Sequence, residues 1–273
     1  MAIYVDDVLI FWRDQRTLDL IKSQLCAAFK MKDLGRVEQC IGLKIEYGGD
    51  GIAIHQITYI ERVLERFGMT NCKPAPTPCD PSQKLSVTMA NSNEMMSDVP
   101  YQEAVGSLLY LVQGTRPDIA FAINDVSRFN ANHGVAHWIA VKRIMRYLRG
   151  TTDFRILYRY GGNPLRGFSD SDWASDIDQR RSCTGYIFMM SDGAVSWSSS
   201  RQHTVALSST EAEFLSHPVT TDCRSMSAGG VADDSVIAGG PGHIALLNFV
   251  PRIDRVIKAN SHTFLITNIS CFI

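Results

Sequence analysis

Two aspartates stand side by side in MAIYVDDVLIF, at positions 6 and 7, between runs of β-branched and aromatic residues. Adjacent carboxylates repel each other at neutral pH unless a cation lies beside them. Two further acidic groups follow: SDSDWASD, with Asp170, Asp172 and Asp176, and STEAEF, with Glu211 and Glu213. Carboxylate oxygens are the hard ligands that magnesium prefers over thiols and imidazoles. Held on strand ends and a neighbouring helix, they can bind a pair of such ions about 3.5–4 Å apart. Such a pair stabilises both the attacking and the leaving oxygen of a phosphoryl transfer. Each group also has an ordinary structural reading. Asp6 and Asp7 suit a turn, Asp172 and Asp176 a solvated loop, and Glu211 a helix cap. Spacing along the chain does not by itself bring the three groups together.

The elements that must position these residues are legible in outline. Ile3–Val5 and Val8–Trp12 read as two strands joined at Asp6 and Asp7. TLDLIKSQLCAAFKM predicts a helix with Leu18, Ile21, Leu25 and Phe29 on one face, Lys22 and Lys30 toward solvent, and Gly35 as its stop. Alternation through Ile41, Leu43, Ile45 and Tyr47, a turn from Gly48 to Gly51, and Ile52 and Ile54 beyond it predict a second hairpin. TYIERVLERFG predicts a short helix with Ile60, Val63, Leu64 and Phe67 inward and Gly68 just past its end. Over 71–100, Pro74, Pro76, Pro78 and Pro81 and an aperiodic stretch favour an extended, helix-free linker.

Helical periodicity returns in YQEAVGSLLYLVQGTRPDIAFAINDVSRF and HWIAVKRIMRYLRG. In the latter, Trp138, Val141, Ile144, Met145 and Leu148 point one way and Lys142, Arg146 and Arg149 another. With Arg143, they make a basic face that can follow a phosphate backbone, so Lys142, Arg143, Arg146 and Arg149 are candidate nucleic-acid contacts. A solvated face balanced by acidic residues elsewhere is the plain alternative. From 154 the pattern is β: FRILYRY, then a strand entering the acidic loop, then a hairpin turning at Ser191, Asp192 and Gly193. Ser208 and Glu211 have the spacing of a capping box, on a helix that meets Pro218 within about nine residues. The segment 218–273 is glycine-rich, then apolar without a clear period.

A chain of 273 residues holds two modest domains. Its 45% hydrophobic and 20% charged residues are those of a soluble globular protein. A net charge of −1 gives no global sign of nucleic-acid binding, so any basic surface is local. Seven cysteines, an odd number without a Cys-x-x-Cys pair, suit reduced thiols better than a disulfide framework or a zinc site. No stretch has the apolar length of a membrane span, and no secretory leader is evident. The expectation is an intracellular protein, cytosolic or nuclear, without a membrane partner.

YVDDVLIF, FKMKDLG, GIAIHQITYIERVLERFGMTNCKPAPTP, YQEAVGSLLYLVQGTRPDIAFA, HWIAVKRIMRYLRGT, GFSDSDWASDIDQRRSCTGYIF and VALSSTEAEF, in that order, resemble the Pol polyprotein of copia-type retrotransposons. The resemblance runs from residue 3 to about 217, from the end of the reverse transcriptase into the start of the ribonuclease H domain. It implies that Tyr4-Val5-Asp6-Asp7 is the polymerase YxDD turn, with Asp6 binding catalytic metal and Asp7 supporting the site. It implies that Asp170 and Glu213 are the first two ribonuclease H carboxylates; Glu211 already has the capping role. The metal implied is magnesium, with manganese the alternative. The partners implied are an RNA–DNA hybrid or other nucleic acid and other parts of the polyprotein.

The family polymerase also needs an aspartate on an earlier palm strand, and its nuclease needs a third and a fourth carboxylate beyond Glu213. After His217 the match stops, and Asp222, Asp233, Asp234 and Asp254 sit in no corresponding motif. Two functions follow as expectations. One is a fragment of a reverse transcriptase and ribonuclease H, inactive alone. The other is a non-catalytic remnant or reused fragment with weak nucleic-acid binding through 142–166. The expected fold is α+β. It comprises a palm part at 1–70, the linker at 71–100, a helical connection at 101–153, an incomplete mixed ribonuclease H-like sheet with helices at 154–217, and a divergent tail at 218–273. An incomplete sheet leaves an unpaired edge and an exposed apolar face.

Overall fold

The computed structural model describes residues 1–4, 7–12, 14–91, 99–216 and 265–271. Asp6 and the four tail aspartates lie outside these residues. The fold is α+β, with three antiparallel sheets.

In the first sheet, β1 (Ala2–Tyr4) pairs with β2 (Asp7–Trp12), placing Tyr4 opposite Asp7. α1 (Gln15–Ala28) starts at Asp14, whose carboxylate accepts the Thr17 amide at 2.9 Å. It buries Leu18 against Val8 and Ile10. The expected inward Phe29 is instead the extended residue that ends the helix, and it is 59% exposed. Gly35 does not stop α1 either; it lies within β3 (Met31–Arg36), with φ +75. Lys22 is tied to Asp33 at 3.0 Å. A last strand, β11 (Leu265–Cys271), enters between β2 and β3, with Ser270 opposite both Asp7 and Lys32. The tail shows no clear period in sequence, yet LITNISC has the β-branched content that suits a strand.

β4 (Gln39–Cys40), β5 (Leu43–Tyr47) and β6 (Gly51–His55) bear out the second hairpin and its buried positions Leu43, Ile45, Ile52 and Ile54. Ile41 does not continue the strand. With Gly42 it forms a two-residue turn at φ 49 and 71, the left-handed region that such hairpins demand. The Tyr110 hydroxyl donates to the Ile41 carbonyl at 2.9 Å, and a Cβ on Gly42 would lie 2.0 Å from that hydroxyl oxygen. α2 (Ile57–Arg66) ends as expected at Gly68: the Gly68 amide bonds Glu65 O at 3.0 Å and the Met69 amide bonds Leu64 O at 2.7 Å.

α2 packs with α3 (Tyr101–Gly114), α4 (Ala120–Ser127) and α5 (Val135–Gly150) around Ile60, Leu108, Leu111, Ile123, Ile144 and Leu148. The linker is not free of helix: Val87–Asn91 forms a 3-10 turn, and residues 92–98 lie outside the described ones.

β7 (Ile156–Arg159) pairs with β6, so the second sheet runs β4-β5-β6-β7. The contact is close, because a Cβ on Gly51 would lie 2.2 Å from the Tyr158 carbonyl oxygen. β8 (Arg166–Ser171), β9 (Cys183–Met190) and β10 (Gly193–Arg201) form the third sheet, and α6 (Ser209–Ser216) packs on β8 and β9. The sheet was expected to be mixed; all its described pairings are antiparallel. One core joins Leu9, Leu43, Ile54, Tyr158, Phe188 and Trp197. The Tyr158 hydroxyl donates to Ala194 O at 2.6 Å, and the Trp197 indole donates to Val112 O at 2.8 Å. The boundary drawn at residue 154 therefore falls within continuous packing.

Candidate carboxylate sites and the basic helix

Asp7 opens β2, and the next three residues, Val8, Leu9 and Ile10, are buried alternately against α1 and against the core of the second sheet. That burial of both faces fixes where Asp7 stands. Its charge reaches β4: the Cys40 thiol is pushed up to about 11, first by burial and then by Asp7.

Asp170 and Glu213 come from elements that touch, β8 and α6, and both are exposed. Asp170 Oδ1 accepts the Ser171 amide at 2.9 Å. The helix bearing Glu213 is fixed at its start, where the Glu211 amide donates to Ser208 Oγ at 3.1 Å. Glu211 returns a bond to the Leu207 amide at 2.7 Å, one residue before the expected partner. Gln202 then ties Ala212 O, at 2.7 Å, to Thr184 on β9, at 2.9 Å. Glu211 thus has the capping role that set it apart from Glu213.

The other loop carboxylates are engaged. Asp172 accepts the Cys183 amide at 2.7 Å. Asp176, read as part of a solvated loop, is 3% exposed and holds Arg128 at 2.6 Å and Arg201 at 2.9 Å. Arg128 also reaches Asp125 at 2.9 Å and Asp178 at 3.3 Å. Asp178 accepts from Ser86 Oγ at 2.6 Å and the Val87 amide at 3.0 Å. The acidic loop is thus a knot tying α4, β10 and the linker. Nothing in the spacing of Asp176 signals this, because its partners lie 48 and 25 residues away.

Three of the four basic candidates on α5 hold residues 70–80, two of them the linker itself and Arg149 the residue just before it. Arg143 donates to Thr77 O and pairs with Asp80 at 3.2 Å. Arg146 Nε donates to Lys73 O at 2.7 Å, and Arg149 Nε to Thr70 O at 2.8 Å. The backbone closes the same contact, with the Ala75 amide on Arg146 O at 3.2 Å. Lys142 lies 5.9 Å from the centre of the Trp138 ring. Among the described residues, no three His, Cys, Asp or Glu side chains gather as a metal site, so Asp7, Asp170 and Glu213 offer suitable oxygens but not a full set. No described helix is long and apolar enough to cross a membrane.

Residues 1–81 match the family of reverse transcriptases, RNA-dependent DNA polymerases. The retrovirus-related Pol polyprotein from transposon TNT 1-94 of Nicotiana tabacum is 47% identical over 221 residues, 79% of this chain and 17% of that polyprotein. The Pol polyprotein from transposon RE1 of Arabidopsis thaliana is 38% identical over 217 residues, 79% of this chain and 15% of its own length. An uncharacterized mitochondrial protein of Arabidopsis thaliana is 37% identical over 222 residues, 81% of this chain and 90% of that protein. The chain belongs to the Pol family of copia-type retrotransposons. It spans about a sixth of the length of the polyproteins it matches. No solved structure matches.

Proposed function

We propose that the chain runs from the Asp-Asp hairpin of a polymerase into the start of a ribonuclease H domain, carries part of each catalytic carboxylate set, and completes neither alone. The observation that carries this reading is the β1–β2 hairpin, with Tyr4 opposite Asp7, inside the stretch that matches reverse transcriptases. On this reading Asp6 and Asp7 hold magnesium, with manganese the alternative, and Asp170 and Glu213 begin the nuclease set. Two-metal phosphoryl transfer needs a complete ligand set held in place. The carboxylates nearest Asp170 in sequence are not spare, since Asp172 caps a strand amide and Asp176 serves two arginines. RNA-directed DNA synthesis and cleavage of RNA in RNA–DNA hybrids then need other parts of the polyprotein.

The test incubates the folded, purified chain with an RNA–DNA hybrid and magnesium, beside an Asp170→Asn/Glu213→Gln variant. The expected result is no cleavage by either. Cleavage lost in the variant overturns incompleteness and gives the missing ligands to the segment beyond Ser216. A non-catalytic remnant that binds through 142–166 is the second reading. It is weakened by the three arginines that already hold residues 70–80.

A further inference from the structure

β2 and β3 run parallel, because β11 lies antiparallel to both, with Leu265 opposite Trp12 and Cys271 opposite Met31. α1 joins the two strands and packs on each. A parallel pair linked by a helix, with an antiparallel strand between its members, is a split β-α-β unit. Neighbouring strands lie about 4.8 Å apart, so β2 and β3 stand about 10 Å apart, too far to bond each other. Between them is a slot for one strand, with a hydrogen-bonding wall on either side.

Both walls are built by residues 7–36, inside the stretch 1–81 that matches reverse transcriptases. The strand that fills the slot, Leu265–Cys271, comes from outside that stretch. Its fit is uneven: the register is continuous against β2 but shifts against β3 between Asn268 and Ile269, passing over Leu34. Ser270 takes the position opposite Asp7. Magnesium holds its ligand oxygens at about 2.1 Å. A second carboxylate on an ion bound by Asp7 therefore has to come from a neighbouring strand, not from one about 10 Å away. β11 occupies that neighbouring position with a serine, which has no carboxylate. We infer that β11 is an internal plug, seated where another part of the polyprotein supplies the polymerase's earlier aspartate strand, and that it must leave before that strand enters. The inference rests on the polymerase reading above.

Every amide of a strand paired on both sides belongs to one ladder or the other, so Thr267→Pro removes a bond. Thr267→Val keeps both the amide and a β-branched side chain. The probe is the segment of the TNT 1-94 Pol polyprotein that immediately precedes its match to this chain. Calorimetry titrates it into the full chain and the two variants. If the slot is open in at most one parent chain in ten, Thr267→Pro binds at least about tenfold tighter than the parent, and Thr267→Val stays within about threefold of it. Hydrogen exchange on the unsubstituted chain needs no variant to fold. There the amides of 265–271 are expected to be protected, and to lose that protection as the probe saturates while α3 keeps its own. If Thr267→Pro loses its helical signal, the exchange readout decides alone. Free exchange of 265–271 without the probe overturns the plug and leaves the polymerase reading standing. So does equal affinity of the parent and a folded Thr267→Pro, or a bound complex in which 265–271 stay protected. A probe that binds none of the three chains overturns both.

Discussion

Asp176 accepts hydrogen bonds from Arg128 on one side and Arg201 on the other while almost fully buried. Burial alone would push its carboxyl up; the Arg201 bond, the Asp178 amide and the Arg128 charge outweigh it and hold the carboxyl below the ordinary 3.8. A lowered folded value means that the ionised form stabilises the fold. That contribution is present above 3.8 and is lost as pH falls through the folded value. Asp125, pushed up chiefly by burial, works in the opposite direction and offsets part of it. Asp176→Asn keeps the volume but leaves two guanidiniums short of a charge, which costs on the order of 3 kcal/mol. Melting followed between about pH 2.5 and 6 should show a smaller acid-side loss in the variant than in the parent. Equal slopes would mean that the knot does not depend on this charge. Ser208 and Glu211 were legible because their interactions are three and four residues apart. Asp176 was not, because its partners come from other elements.

At the scale of elements, α5 shows the same divide. Its apolar face was legible from helical spacing, and Val141, Ile144, Met145 and Leu148 are buried as expected. Its basic face read as a phosphate track because the acceptors it serves lie 66 to 79 residues earlier in the chain. Those acceptors are largely carbonyls of a proline-rich segment, which has few amides of its own to satisfy them. Replacing Arg146 by Ala removes the bond to Lys73 O, at a cost of about 1 kcal/mol for a partly exposed charged donor. The expected result is faster hydrogen exchange at the Ala75 amide, which bonds Arg146 O, with the amides of α3 unchanged. Arg146→Lys should not rescue it, since Lys lacks the Nε–H that makes the bond. If exchange at Ala75 is unmoved, the clip is not what holds the linker.

For the whole molecule, the sequence suggested a seam at residue 154, because helical periodicity ends there and alternating strands begin. Periodicity reports an element's type but not which strand it joins, and β7 joins β6, about a hundred residues earlier in the chain. The third sheet then shares its core with the second, through Tyr158, Phe188 and Trp197 beside Leu43, Ile45, Ile52 and Ile54. Removing residues 1–98 strips those last four side chains from the core. At about 2 kcal/mol for each buried aliphatic, the loss is about 8 kcal/mol. That is the size of a whole domain's stability, roughly 5–15 kcal/mol. The 99–273 chain is therefore expected to keep helical signal from α3 to α5 but to melt without a sharp transition. In the full chain, tryptophan fluorescence and far-ultraviolet circular dichroism should fall together over the core that holds Trp197. A cooperative melt of 99–273 near the temperature of the full chain would place the seam at the linker before residue 99 and make the shared core a contact between two independent units.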